Sequence, residues 1–573
     1  MRRVLALLVV LIVLPASAAP QPPAVAVATA HPLATSAALE ILRAGGNAFD
    51  AAIAASAALA VVEPFSSGIG GGGFFLLHQA ATGREIMIDA RERAPLAARA
   101  DMYLDADGRP IPRASLDGPL AAAIPGLPAA LAHLAERYGA LPLARSLAPA
   151  IRLAREGFAV TQRYRRMAEW RREALVAWGA GEIFLDRGRV PAEGHIVRQA
   201  DLARTLERLA AKGAAGFYRG ETARRLIEGV RAAGGIWTLE DLAQYRVVER
   251  EPVRGRYRGA RIVTAPPPSA GGVMLLEILG MLERYDLAEL PFVERTHLVI
   301  EAMRRAYGDR ALYLGDPDFI GSGSAARLLD PQRIARLAAS IDRRRATPSA
   351  ALSDLLEAGR ARGEDTTHFS ILDAAGNRVA ATLSINLPFG AAFVPPGTGV
   401  VLNNEMDDFA SGPGIANAYG LFGGAANAIA PGKRPLSSMT PTFVETPNAL
   451  AVLGTPGGSR ITTMVLLAVL DFVHGRGSVR EWVARPRYHH QYLPDEVQHE
   501  PEAFAPEEKA ALERRGHRLR SIGREYGNMQ ALVWDRAAGR VEAASDPRGE
   551  GEAAVVELRA PRTEERATGT NGR

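Results

Sequence analysis

At Thr366 the periodicity of this chain changes. Between residues 119 and 365 apolar side chains recur at helical spacing, in Leu127 to Tyr138, Ala144 to Glu156, Ala200 to Ala211, Thr222 to Ala233 and Phe292 to Tyr313. From Thr366 the pattern is that of strands: Thr366 to Leu372, the turn Asp373-Ala374-Ala375-Gly376-Asn377, then Arg378 to Asn386. If that turn closes a regular hairpin, facing residues have numbers summing to about 750, which sets Ser384 opposite Thr366. Facing Cβ atoms lie about 4.5–5.5 Å apart, so the two hydroxyls come within reach of each other. Alternation places Thr382, Ser384 and Asn386 on one face, with Leu383 and Ile385 on the other.

The junction before this hairpin, Gly363-Glu364-Asp365-Thr366-Thr367-His368, has chemistry of its own. A threonine hydroxyl is a poor nucleophile at neutral pH, and no His-Asp relay is evident around Thr366. Cutting the Asp365–Thr366 bond supplies a base: the new α-amino group has a pKa of roughly 7.7–8.0. It can take the proton from the hydroxyl of its own residue. The polar stretch Ala346 to Glu364 reads as helix and then loop, a place where a backbone cut is accommodated.

Composition narrows the remaining choices. With 573 residues, 47% hydrophobic and 23% charged, the chain has material for large cores and two to four structural units. Met1-Arg2-Arg3, the apolar run Val4 to Val13 and Leu14-Pro15-Ala16-Ser17-Ala18 have the pattern of a secretory signal, with cleavage expected after Ala18. Its loss takes Arg2 and Arg3 away and lowers the formal charge from +5 to +3, which is no nucleic-acid footprint. Cysteine is absent, excluding disulfides, a thiol nucleophile, thiolate-bound metal and a lipidated-cysteine anchor. Arg163-Tyr164-Arg165-Arg166 and Arg343-Arg344-Arg345 read as solvated helix faces, and Arg562 to Arg573 as a polar tail.

In chain order, the strand Ala24 to Thr29 precedes a helix ending at Gly45-Gly46-Asn47 and an Ala-rich helix, Asp50 to Val62. The run Gly68-Ile69-Gly70-Gly71-Gly72-Gly73 leads into a strand and lacks a Lys-Ser/Thr ending, so it reads as tight backbone packing beside a site rather than a phosphate loop. A hairpin, Phe74 to Leu77 and Glu85 to Ile88, ends near Arg91, whose guanidinium suits a carboxylate. Trp237-Thr238-Leu239-Glu240-Asp241 has a Thr cap, and Arg254 to Val263 reads as strands. Downstream come Asn403-Asn404-Glu405-Met406-Asp407-Asp408, the Gly/Pro-rich Gly412 to Gly424 with Tyr419, and Pro435-Leu436-Ser437-Ser438-Met439. Pro456-Gly457-Gly458-Ser459-Arg460 precedes the apolar helix Ile461 to Phe472, and its N–H groups suit an oxyanion.

Together these motifs, in this order and over nearly the whole mature chain, resemble the γ-glutamyltranspeptidases, secreted members of the N-terminal nucleophile hydrolase class. The resemblance implies a four-layer αββα sandwich built from both fragments of a precursor that cuts itself between Asp365 and Thr366. A signal (1–18), a large fragment (19–365) and a small catalytic fragment (366–573) follow, the two fragments remaining associated. It implies that Thr366 is the nucleophile and that Arg91, Ser437 and Ser438 hold the α-carboxylate of a γ-glutamyl group. Asn386, Glu405 and Asp408 hold its α-amino group, Gly457 and Gly458 form the oxyanion hole, and Tyr419 lies in a lid loop. No metal or cofactor is required. The implied donors are glutathione and other γ-glutamyl compounds, and the acceptors are water, amino acids or dipeptides. Ser384 replaces a commoner Thr, and Glu405 stands where some bacterial members have Gln. Two other readings stay open: an acylase that removes a glutaryl side chain from cephalosporins, and a periplasmic γ-glutamyl peptide binder that never matures. The location expected is periplasmic or secreted, in a bacterium.

Overall fold

The computed structural model describes residues 21–321, 323–352, 366–412 and 414–557. The expected signal, Asp365, the stretch 353–364 and the tail from 562 lie outside the described residues. Before Thr366 come strands β1 (Val25–Thr29), β2 (Gly72–Gln79), β3 (Arg84–Ala90), β4 (Val248–Arg250), β5 (Val253–Tyr257) and β6 (Ala260–Thr264). After it come β7 (Thr367–Leu372), β8 (Arg378–Ser384), β9 (Thr442–Glu445), β10 (Ala449–Gly454), β11 (Gln530–Asp535), β12 (Arg540–Ser545) and β13 (Glu552–Val556). They form two antiparallel sheets, one in the order β13-β1-β7-β8-β2-β3-β4 and the other β12-β11-β10-β9-β6-β5. Both sheets therefore mix strands from either side of Thr366.

Strand alternation builds the layers. On β8, Val379, Ala381 and Leu383 face outward into a core shared with α1 (Pro32–Arg43) and α2 (Ala48–Val62). Ala380 faces the other way, joining Phe74, Leu76 and Leu372 against Phe443, Val452 and Leu532 of the second sheet. Beyond that sheet, Val444, Ala451 and Leu453 pack on α3 (Gly271–Leu282), α4 (Phe292–Tyr313) and α5 (Ile461–Val473). The result is helix, sheet, sheet, helix, as expected. Each fully buried Leu, Ile or Phe contributes about 1.5–3 kcal/mol. Helix α2 is buried at every position because its alanines let it lie close on the sheet, and Asn47 with Asp50 forms a capping box at its start.

The hairpin register agrees with the sequence reading, Thr382 facing His368 and Leu383 facing Thr367. The Arg-rich segments do not behave as expected. Arg163 and Tyr164 are buried on the inner face of the helix Gln162–Ala177. Tyr164 donates to the Phe184 carbonyl at 2.7 Å, and the Arg163 guanidinium lies 5.9 Å from the Phe65 ring centre. Helical spacing turns only Arg165 and Arg166 to solvent. Arg343 to Arg345 are exposed but lie in a bend, not a helix. Among the described residues no helix is long and apolar enough to cross a membrane.

Candidate active site

Thr366 precedes β7 at the end of the shared sheet and is 4% exposed. Its hydroxyl stands 3.4 Å from that of Ser384, across the hairpin. Ser384 Oγ in turn accepts from the Asn386 N–H at 2.7 Å. Asn386, just past β8, has φ +74°, a conformation that Asn tolerates better than most residues. Its side chain donates to the Asn404 carbonyl at 2.9 Å. His368 does not serve Thr366: it faces Thr382 at 2.8 Å between the sheets, and burial lowers its pKa to about 3.

Two glycines of the run at 68–73 explain how the strand end is held. A Cβ on Gly71 would lie 2.1 Å from the Ser384 carbonyl oxygen, and one on Gly72 would lie 2.2 Å from that of Ala90. Only glycine lets β2 approach both neighbours here, as the packing reading requires. The neighbouring Asn403 side chain bonds Gly70 and Ala123 and accepts from the Glu405 N–H, fixing the loop that carries the acids.

Arg91 follows β3 with its side chain 1% exposed. It donates to the Pro435 carbonyl at 3.1 Å and to Glu405 at 2.7 Å, and also pairs with Asp408. Burial alone would lower its pKa, but Glu405, Asp408 and Glu92 hold it above the usual value. Burial pushes Glu405 and Glu92 upward, with Arg91 opposing the shift. Charge here is concentrated and desolvated, so a ligand bearing both signs can trade partners with these groups at little net cost.

On the opposite wall Ser437 and Ser438 line the same cavity. Ser437 is bridged by its backbone to Pro268 and Ala270, before α3. Gly457 (φ +140°) and Gly458 (φ +56°) form the turn into α5. Neither N–H donates to a backbone carbonyl among the described residues. Gly458 lines the cavity, and Gly457 directly precedes it in the turn. The ring of Tyr419 covers Gly458 so closely that a Cβ there would lie 2.2 Å from it. The Tyr419 hydroxyl donates to the Asn386 carbonyl at 2.7 Å.

The space between these groups is about 20 Å³, room for about one water. Tyr419 closes one side of this space. Its loop is anchored from below by residues not singled out in the sequence. Asp407 accepts from the Ala418 N–H and Ser115, and burial pushes its pKa up to about 7. Asn417 bonds Asp408 and the Tyr419 and Leu421 N–H groups. Glu63 was missed too. It ends α2 and accepts from Thr367 Oγ1 at 2.9 Å, tying the residue after Thr366 to the helical layer. The Thr367 position on the opposite strand face was the available signal, but nothing local named its partner.

The geometry thus unites Thr366, Ser384, Asn386, Arg91, Glu405, Asp408, Ser437, Ser438, Gly458 and Tyr419 around one cavity. The sequence profile described as Gamma-glutamyltranspeptidase matches residues 34–556. The chain belongs to the γ-glutamyltranspeptidase family. It is 43% identical over 503 residues to a glutathione hydrolase proenzyme of Pseudomonas sp. (strain A14), covering 86% of each chain. To the glutathione hydrolase proenzyme of Escherichia coli (strain K12) it is 40% identical, covering 91% of this chain and 90% of that one. Among solved structures, a cephalosporin acylase from Bacillus halodurans superposes with a TM-score of 0.80 at 29% identity, covering 95% of this chain and 99% of that one. The αββα sandwich is the architecture of the N-terminal nucleophile hydrolases.

Proposed function

We propose that this γ-glutamyltranspeptidase cleaves the γ-glutamyl amide bond of glutathione and related compounds, after cutting itself between Asp365 and Thr366. The observation that carries the reading is the Thr366 hydroxyl facing Ser384 in a cavity that also holds Arg91, Glu405 and Asp408. The substrate α-carboxylate takes the Arg91 guanidinium with Ser437 and Ser438, and its α-ammonium takes Glu405, Asp408 and Asn386. Entry exchanges the internal Arg91–Glu405 and Arg91–Asp408 pairs for pairs to the ligand.

The α-amine of Thr366 accepts the hydroxyl proton as Oγ1 attacks the γ-carbonyl carbon. The Gly457 and Gly458 N–H groups receive the oxyanion, each donor worth roughly 10²–10³ in rate. The C–N bond then breaks, the leaving amine takes the proton, and a γ-glutamyl ester on Thr366 remains. Water or the amine of an amino acid or dipeptide attacks that ester and releases Thr366. Fragments 19–365 and 366–573 stay together as a heterodimer, in the periplasm or outside the cell.

The likeness to a cephalosporin acylase supports a second reading, removal of a glutaryl group. A glutaryl substrate has no ammonium and would leave Glu405 and Asp408 without a counterpart when Arg91 turns to its carboxylate. A denaturing gel and a pair of anilides test these readings. Two bands split before Thr366, one band in T366A, and turnover of γ-glutamyl but not glutaryl anilide are expected. An intact active chain overturns the mechanism, a glutaryl preference favours the acylase, and a single inactive band favours a binding protein.

A further inference from the structure

At the end of the inter-sheet space remote from Thr366 lies a second cavity, of about 560 Å³, lined by His78, Arg378, Glu445, Trp534 and Arg536 and by the β2–β3 and β7–β8 turns. Arg378 begins β8 on the same face as Ser384. Six residues at about 3.3 Å each put the two ends of that face roughly 20 Å apart. The Arg378 residue is 3% exposed. Its Nε is buried without a hydrogen-bond partner, and its nearest carboxylate oxygens, on Glu85 and Glu445, each stand 3.9 Å away, beyond hydrogen-bond reach.

Those carboxylates are already engaged. Glu85 takes Arg254 at 3.2 Å and Arg261 at 2.7 Å, and Glu445 takes Arg261 and Arg536. Arg254, Arg261, Arg378 and Arg536 thus share Glu85 and Glu445, with Glu251 reaching only Arg254 from the exposed side. Arg536 Nε and His78 Nδ1 are also buried without a hydrogen-bond partner, His78 Nδ1 standing 3.8 Å from Glu85. The inventory of the cavity is an excess of donors and positive charge. Burial, together with Arg536 and Arg261 and against Glu445 and Glu85, pulls the Arg378 pKa down to about 10. A buried guanidinium without hydrogen-bonded compensation is costly, and an oxyanion supplies that compensation in bidentate form. The Arg536 guanidinium lies 5.0 Å from the Trp534 ring centre, so an aromatic wall adjoins the charge.

We propose that this cavity is a second binding site, for a small anion bearing a carboxylate or phosphate, held by the Arg378 and Arg536 guanidinium groups beside Trp534. The site is independent of the catalytic reading, since none of its residues touches the Thr366 cavity.

Calorimetric titration of the purified protein with benzoate and with inorganic phosphate, at constant ionic strength, tests it. Saturable binding of at least one is expected, weakened tenfold or more in both R378M and R536Q, with hydrolysis of the γ-glutamyl anilide changed less than twofold. Arg536 is half-buried, so R536Q carries the test if R378M fails to fold. Binding of phosphate alone assigns a free oxyanion, and binding of benzoate alone assigns a carboxylate whose ring uses Trp534. No saturable binding to wild type, or equal affinity in wild type and R536Q, overturns the proposal.

Discussion

Glu63 and Asp408 are two carboxyl groups that the fold puts to different service, one bonding the Thr367 hydroxyl and the other the Arg91 guanidinium. Burial raises the Glu63 pKa to about 7, against Arg163 and the Thr367 hydroxyl, which favour the charged form. Its folded pKa lies above the unfolded value of about 4.3, so stability is lost as pH rises from there to about 7. E63Q keeps an acceptor for Thr367 and cannot ionise. Its melting temperature relative to wild type is expected to be higher at pH 7.5 than at pH 4.5, and a pH-independent difference would contradict the assignment. Asp408 instead pairs with Arg91. D408N is expected to lower kcat/KM for γ-glutamyl anilide on the order of 100-fold, the scale for truncating a desolvated charge pair, while sparing any activity on the glutaryl analogue. Such roles differ in how visible they are in sequence. Ser384 followed from counting across a hairpin, and Arg91 and Asp408 from ordered motifs. Glu63 lies 304 positions from its partner Thr367, and no periodicity encodes such a meeting.

Among the elements, the hairpin β7–β8 was readable from its alternation, helices α1 and α2 from their caps, and α5 from an apolar run after a Gly-Gly turn. The loop around Tyr419 was readable only as composition. What holds it is a set of side-chain bonds from Asp407, Asp408, Asn417 and Gln491, which follow no repeat. The hydroxyl bond from Tyr419 to Asn386 closes that loop over the cavity. Y419F removes one neutral hydrogen bond, worth about 1 kcal/mol. KM for the γ-glutamyl donor is expected to rise about fivefold with kcat little changed, as steady-state kinetics would show. G458A is expected to act more severely. Its Cβ would overlap the Tyr419 ring at 2.2 Å on a backbone with φ +56°, so the loop cannot seat, and activity should fall at least 100-fold. A G458A protein with a normal rate would show that Tyr419 does not cover the site during turnover.

For the molecule as a whole, the decisive feature is that neither sheet belongs to one side of Thr366. In the first, β7 and β8 are inserted between β1 and β2, and β13 flanks β1. In the second, β5 and β6 extend a sheet otherwise made of later strands. After the proposed cut, the fragments should coelute in size-exclusion chromatography at any salt concentration and separate only in denaturant. Separation by salt alone would contradict the interleaving. A junction of this kind also sets an order of events for biogenesis. Thr366 acquires its surroundings only once distant parts of one polypeptide have been woven together, so the proposed cut before it would certify a finished tertiary structure. Pieces expressed apart would lack the covalent tether that guides the weaving, and each would expose unpaired strand edges to aggregation.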